Sequence, residues 1–254
     1  GVPERAAAVV AGLTARLTAI GEISGALDRP SVACIEWFDP LMTGGNWMPE
    51  LVALAGGDNL FGQPGAHSPW LEWDALGQAD PDILLLMETD RRWVEALAPQ
   101  LAGYGYRLQR PLDNTYGMVF ATRLEVDRAA MPIDDEAQTP TLYATLRMGD
   151  GARFEVIGLH PRPPLPGEST ATRDKNIARA GALTPDGLSN VLAIGDFNDV
   201  PWSKTTSRFI REGGYRDPRA GRGSFATFPA DYAWIGWPLD QIFAKDGGKG
   251  DRLE

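Results

Sequence analysis

The stretch NVLAIGDFNDVPWS, Asn190 to Ser203, runs from an apolar segment straight into Asp196 and Asn198. Residues two apart in an extended chain point the same way. Their side chains would therefore present oxygens together at the tip of a buried strand. Paired oxygen donors suit a hard divalent ion or a phosphoryl group. An Asx-rich turn closed by Pro201 accounts for the same residues equally well. Three more polar residues stand at the ends of apolar runs: Glu88 after DILLLM, His160 after FEVIGL, and Asp240 at the start of DQIF. One polar strand end means little, because strand ends are often polar. Four of them, of types that bind metal or phosphate, point to a site along one edge of a sheet.

The elements that must carry these residues follow from hydrophobic period and punctuation. The first thirty residues read as one helix, with Pro3 and Glu4 near its start. RPSVACIEWF, Arg29 to Phe38, reads as a strand, DPLMTGGNW as a loop, and MPELVALAG as a helix ended by Gly56-Gly57. A short strand DNLFG, a short helix SPWLEWDALGQA and a buried strand PDILLLM complete an alternating pattern, which predicts parallel strands. From Arg91 the pattern changes. A helix RRWVEALAPQLAGYG precedes strands YRLQR and GMVFATR, and LYATLRM and ARFEVIGLH form a hairpin about Gly149-Asp150. Helices STATRDKNIARAGAL and TTSRFIREGG flank the VLAIGD strand, and PLDQIFAKDG closes the series. Mixed or antiparallel sheets are expected here.

Composition narrows the chemistry. A single cysteine, Cys34, excludes an internal disulfide and a cysteine zinc cluster. The net charge of -10 gives no strong footprint for nucleic acid. No apolar run is long enough to span a membrane, and GVPERAAAVVAGL lacks the basic leader of a signal peptide, so the chain reads as soluble. Residues 247–254 read as a tail whose closing Leu253-Glu254 is of vector origin. His67 reads as a loop residue, Trp70 and Trp73 as packing groups, and Arg216, Arg219 and Arg222 as a solvated loop or a phosphate-binding cluster.

PDILLLMETDRRW, NTYGMVFATR, IGLHPRPP, IGDFNDVPWS, GGYRDPRAGRGSFATFPA and WPLDQIF together resemble the endonuclease/exonuclease/phosphatase family, whose best-known members are deoxyribonuclease-I-like. The resemblance implies a four-layer α/β/β/α sandwich and Mg²⁺- or Mn²⁺-dependent hydrolysis of a phosphate ester. It implies that Glu88, with Asp196, binds the metal and that Asp196 orients or deprotonates the attacking water. His160 and Asn198 would contact the phosphate, and Asp240 would orient a second, C-terminal histidine. The chain has only His67 and His160, so that histidine has no counterpart and impaired turnover is expected.

Upstream, EWFDPLMTGGNWMPELVALAGG resembles the C-terminal lobe of periplasmic cobalamin-binding proteins of ABC transporters. That resemblance implies a corrinoid-facing loop holding Trp37, Asp39, Gly44, Gly45 and Trp47. ADPDILLLM fits both families, so a chimera, engineered or recombinant, is expected. Residues 1–82 would form a Rossmann-like parallel α/β fragment, joined to a partial four-layer sandwich over 83–246. In such a fusion Glu36 or Asp39 could replace the family's first-strand Asn at the metal. Three functions stay open: a metal-dependent phosphoesterase scaffold, a corrinoid-binding module, or a folded chimera without evolved activity.

Overall fold

A computed structural model describes Ala7, Ala11 and residues 29–38, 41–45, 48–54, 57–165, 167–182, 190–217 and 236–245. Ala7 and Ala11 are helical; the rest of the expected N-terminal helix lies outside the described residues. The chain divides into two units, Gly1–Leu84 with Pro218–Phe225, and Leu85–Asp217 with Ala226–Glu254.

In the first unit β1 (Ser31–Phe38) pairs antiparallel with β2 (Leu41–Thr43) and parallel with β3 (Asp58–Asn59). The segment DPLMTGGNW, expected as a loop, thus contains a short strand that folds back on β1. Helices α1 (Met48–Leu54) and α2 (Trp73–Ala79) follow. Ser31 and Asp82 tie the start of β1 to the start of β4 (Ile83–Met87). Ser31 N donates to Asp82 Oδ2 at 2.9 Å, and Asp82 N donates to Ser31 Oγ at 2.9 Å.

The second unit takes in the rest of β4, followed by α3 (Arg91–Ala96), α4 (Ala98–Leu101) and the hairpin β5 (Tyr106–Arg110)–β6 (Met118–Thr122). A helix was expected to run unbroken from Arg91. It breaks at Leu97, because Pro99 has no N–H to continue the ladder. A five-stranded sheet is built from β7 (Glu125–Ala130), β8 (Thr141–Arg147), β9 (Arg153–Leu159), β10 (Val191–Asp196) and β11 (Asp240–Lys245), in the order β11-β10-β9-β8-β7. The hairpin β8–β9 forms as expected, in register from Thr141↔Leu159 to Arg147↔Arg153. Every neighbouring pair is antiparallel except β9–β10. A parallel pair needs a long crossover, and here it contains α5 (Ala171–Ala182). Helix α6 (Lys204–Gly213) follows β10.

Strands β6 and β8 are buried almost throughout, the mark of sheets covered on both faces. On one face of the five-stranded sheet, Leu85 of β4 overlies Gly158, its Cδ2 2.9 Å from where a Cβ would stand. On the other, Ile177 and Ala180 of α5 and Phe209 of α6 join Ile157, Leu159, Ala193, Phe197 and Phe243 in one core. Phe197 meets Phe209 and Phe243 edge-on at 5.7 and 5.3 Å, and Phe209 stacks on Tyr215 at 4.7 Å. Burying each such ring contributes about 1.5–3 kcal/mol. The result is a mixed α/β architecture with two sheets and covering helices.

Candidate active site

The sequence-predicted residues Glu88, His160, Asp196, Asn198 and Asp240 all lie in the second unit. Glu88 follows the last residue of β4, His160 the last of β9, and Asp196 ends β10. Asp240 opens β11 and is the cross-strand partner of Asp196. What draws these strand ends together is Gly195. A Cβ there would lie 2.0 Å from the Leu159 carbonyl oxygen and 2.8 Å from Met87 Cε. Leu159 precedes His160 and Met87 precedes Glu88, so the missing side chain lets three strand ends close up. Its φ of 148° is one that side-chain-bearing residues rarely adopt.

His160 Nε2 stands 3.6 Å from Asp196 Oδ2 and 3.9 Å from Glu88 Oε1. The imidazole is buried, and burial holds its pKa below the ordinary value against the opposing pull of Glu88, which favours the neutral ring at pH 7. Nδ1 is buried without a hydrogen-bond partner. A proton there would be an orphan donor, whereas one on Nε2 faces two carboxylates. The geometry therefore favours the Nε2–H tautomer. Burial also pushes the Asp196 carboxyl up to about 6, opposed by its hydrogen bond from Asn198 N and reinforced by Glu88. Glu88 and Asn198 both adopt left-handed backbone, with φ of 61° and 47°. Such conformations are uncommon outside glycine and cluster at functional sites.

Asn198 is held from three directions. Its N–H donates to Asp196 Oδ1 at 2.7 Å, its Nδ2 donates to Pro161 O at 3.0 Å, and its carbonyl accepts from Arg173 Nη1 at 2.9 Å. The Arg173 guanidinium also lies 3.4 Å from the buried Asp199 carboxylate. Asp199 Oδ2 accepts from the Ser203 and Thr206 hydroxyls, anchoring the start of α6. The Asx-turn reading of this stretch holds, and the Asp196 turn positions Asn198.

Arg173, Asp199 and Tyr116 were not singled out in the sequence. Tyr116 packs edge-on against His160, centroids 4.9 Å apart, and its phenol is pushed up by burial, with Glu88 and Asp196 adding to the rise and Arg162 opposing it. Only the glycine after Tyr116 signals this contact. A Cβ on Gly117 would overlap the Thr89 carbonyl, one residue beyond Glu88, at 1.8 Å.

Glu88 and Asp196 form no ion pair with Lys or Arg among the described residues, so two converging carboxylates face only a neutral imidazole. Also among the described residues, no group of three or more His, Cys, Asp or Glu is arranged to hold a metal ion. Two oxygen ligands with room for water and phosphate are the set Mg²⁺ accepts. The donor chemistry thus fits a weakly held, open metal site.

The corrinoid expectation finds no support in the comparisons. Gly44 and Gly45 are buried, and a Cβ on Gly45 would lie 2.4 Å from Ser68 N. The side chains of Glu36 and Trp37, and all of Asp39, Trp47, Arg219 and Arg222, lie outside the described residues. Trp70, expected to pack in a helix, lies ahead of α2 and is exposed.

A family model described as the endonuclease/exonuclease/phosphatase family matches residues 59–250, beginning well inside the stretch ascribed above to a cobalamin-binding lobe. No curated protein matches the sequence. A crystal structure of D. rerio TDP2 humanised by 14 mutations superposes with a TM-score of 0.54 at 14% identity, covering 70% of this chain and 75% of that one. D. rerio TDP2 complexed with a single-strand DNA product gives 0.51 at 14% identity, covering 70% and 76%. The crystal structure of SmcL gives 0.53 at 17% identity, covering 70% and 76%. At these identities the likeness is one of fold, and it is the family match over three quarters of the chain that carries the assignment: the chain belongs to the endonuclease/exonuclease/phosphatase family.

Proposed function

We propose that this protein hydrolyses phosphodiesters with a divalent ion, Mg²⁺ or Mn²⁺, held by Glu88 and Asp196. The observation that carries the proposal is the approach of both carboxylates to His160 Nε2, at 3.9 and 3.6 Å. The ion would polarise a phosphoryl oxygen and offset charge developing on it. Asp196 orients the attacking water and takes its proton. The Nε2–H of His160 and the second Nδ2 hydrogen of Asn198 donate to the non-bridging oxygens. Asp240 fixes the edge beside Asp196 through its register across β11.

A phosphodiester is the favoured class because a structural neighbour, D. rerio TDP2, is complexed with a DNA product. The net charge of -10 favours a small diester over a long polyanion. Within the second unit His160 is the only histidine, so that unit offers no second imidazole to protonate the leaving oxygen. Turnover by this chain is therefore expected to be slow.

The test is Mg²⁺- or Mn²⁺-dependent hydrolysis of bis-(p-nitrophenyl) phosphate. Removing an acid–base group costs roughly 10²–10⁴ in rate, so Asp196→Ala should abolish detectable turnover. Calorimetry with Mn²⁺ on the parent and on Glu88→Gln gives a second readout, with weaker binding expected in the variant. Activity unchanged by Asp196→Ala would refute the assignment.

A further inference from the structure

Arg173 sits in the first turn of α5, where its charge opposes the positive end of the helix dipole. Its side chain is nonetheless only 12% exposed, and its orientation is fixed. Nε and Nη2 donate to Asp174 Oδ1 at 3.1 and 2.8 Å. Asp174 in turn accepts from the Thr170 hydroxyl at 2.7 Å, so the helix start itself sets the plane of the guanidinium. Nη1 is left to donate to the Asn198 carbonyl at 2.9 Å, and Nη2 stands 3.4 Å from Asp199 Oδ1.

One guanidinium thus serves two adjacent residues with different tasks. Asp199 also accepts from the Ser203 and Thr206 hydroxyls and holds the start of α6. Asn198, in the phosphodiester reading, contacts the phosphate. Its left-handed backbone, φ 47°, is held at the N–H by Asp196 and at the carbonyl by Arg173. Few residues other than glycine keep this conformation without such support. Relaxation to negative φ would swing the Cα–Cβ bond and carry the side-chain amide with it. The bond from Nδ2 to Pro161 O, at 3.0 Å, uses one amide hydrogen. The direction of the other follows from the backbone on either side.

Resting on the phosphodiester reading, we propose that Arg173 is a positioning residue for that reaction: through the Asn198 carbonyl it aims the Asn198 amide at a phosphoryl oxygen, a task separable from its ion pair with Asp199. Misplacing a reacting or contacting group by about 1 Å through a remote change costs on the order of 100-fold.

The test separates the two tasks. Arg173→Met/Asp199→Asn removes the cation together with the carboxylate it neutralises, so the net charge is unchanged and no buried charge is left bare. Urea unfolding should place this pair closer to the parent than Arg173→Met alone. Its affinity for dimethyl phosphate in Mg²⁺, measured by phosphorus NMR titration, should nevertheless fall at least about fivefold, whereas Asp199→Asn alone stays within about twofold of the parent. Asn198→Ala alone should cost at least about fivefold, yet adding it to the pair should cost less than about twofold more, because residues that act as one unit do not add. A residue that only stabilised the fold would give losses that add. Arg173→Lys keeps the cation without the planar fork and covers the case in which the pair does not fold; it should bind dimethyl phosphate at least about threefold more weakly than the parent. Parental affinity in the folded pair, or in Arg173→Lys if the pair is unfolded, refutes the positioning role, and so do additive losses. If Asn198→Ala still weakens binding in either event, the phosphate site stands without it. If the parent binds no dimethyl phosphate, both readings fall.

Discussion

Gly195→Ala should damage both the fold and the site. The added Cβ would lie 2.0 Å from the Leu159 carbonyl oxygen. Carbon–oxygen contacts settle at about 3.3 Å or more, so β9 and β10 must part by roughly 1.3 Å just where His160 and Asp196 face each other. Neither side can yield cheaply, because the clashing atom is backbone at the end of a parallel ladder whose last pair is Ile194 with Gly158. Met87 Cε, at 2.8 Å, is the more flexible obstacle. Forcing alanine into a sparsely populated backbone conformation costs about 1–3 kcal/mol. Overpacking adds about 1–3 kcal/mol. The sum, about 2–6 kcal/mol, is a large share of a domain's net stability.

The measurement is urea unfolding followed by circular dichroism, with Gly103→Ala as the control. A Cβ on Gly103 would meet nothing closer than Arg123 Nη2 at 3.6 Å, so that variant should stay within about 0.5 kcal/mol of the parent. Under conditions where Gly195→Ala remains folded, it should also bind Mn²⁺ more weakly. A loss below 1 kcal/mol with parental Mn²⁺ affinity would show that the strand ends do not depend on this close approach.

Two further outcomes follow from the same geometry. Arg173→Met removes the donor to Asn198 O and leaves the buried Asp199 without its cation, so a loss of about 3–5 kcal/mol is expected in urea unfolding, with Arg173→Lys losing less; an unaltered midpoint in Arg173→Met would count against the anchor. Glu155 is 0% exposed, both its carboxylate oxygens lack hydrogen-bond partners, and Arg128 approaches to only 3.6 Å, so burial pushes its carboxyl from 4.5 up to about 7. A raised folded-state value makes the native state bind the extra proton, so Glu155 favours folding below pH 4.5 and its contribution is lost as pH climbs to 7, by on the order of 3 kcal/mol. Glu155→Gln should gain stability relative to the parent between pH 5 and 8, and parallel pH profiles would refute the buried-carboxylate assignment.

The elements that sequence reading located most sharply are those whose apolar runs stop abruptly. Ile83–Met87, Arg153–Leu159 and Val191–Asp196 are of this kind, and each leads directly to a site residue. Strand β7 was missed for the opposite reason. EVDRAA is a charged, largely exposed edge strand, and edge strands carry charge to discourage further pairing, which erases the apolar signal. The supporting residues were illegible for a different reason. Arg173 acts on a carbonyl 25 positions away and Gln241 on one 42 positions away. Charged or amide side chains in polar segments look solvated until tertiary pairing supplies their partners. Tyr116 is the intermediate case, since its motif was visible but its packing on His160 depends on the approach of Gly117 to Thr89.

Several unfavourable features of the second unit gather at one place. Glu88 and Asn198 occupy left-handed backbone, Asp196 is driven toward protonation beside a second carboxylate, and His160 buries an unpartnered Nδ1. Any one of these would be relieved by a glycine, an amide or an apolar substitution, so folding alone gives no reason to combine them. Elsewhere in the unit Asp199 has hydroxyl partners and a guanidinium, and Asp134 has two backbone amides and Arg179, whereas the buried Glu155 is left without hydrogen-bond partners. Among the described residues, Glu88 and Asp196 have no Lys or Arg ion-pair partner. A divalent ion between Glu88 and Asp196 would remove their repulsion and return Asp196 to its charged form, while a phosphoryl oxygen would give His160 Nε2 and the Asn198 amide acceptors. The electrostatic strain of the site is thus complementary to a metal-bound phosphate, and that complementarity, more than any one contact, is the physical basis for the proposal that it acts on phosphodiesters.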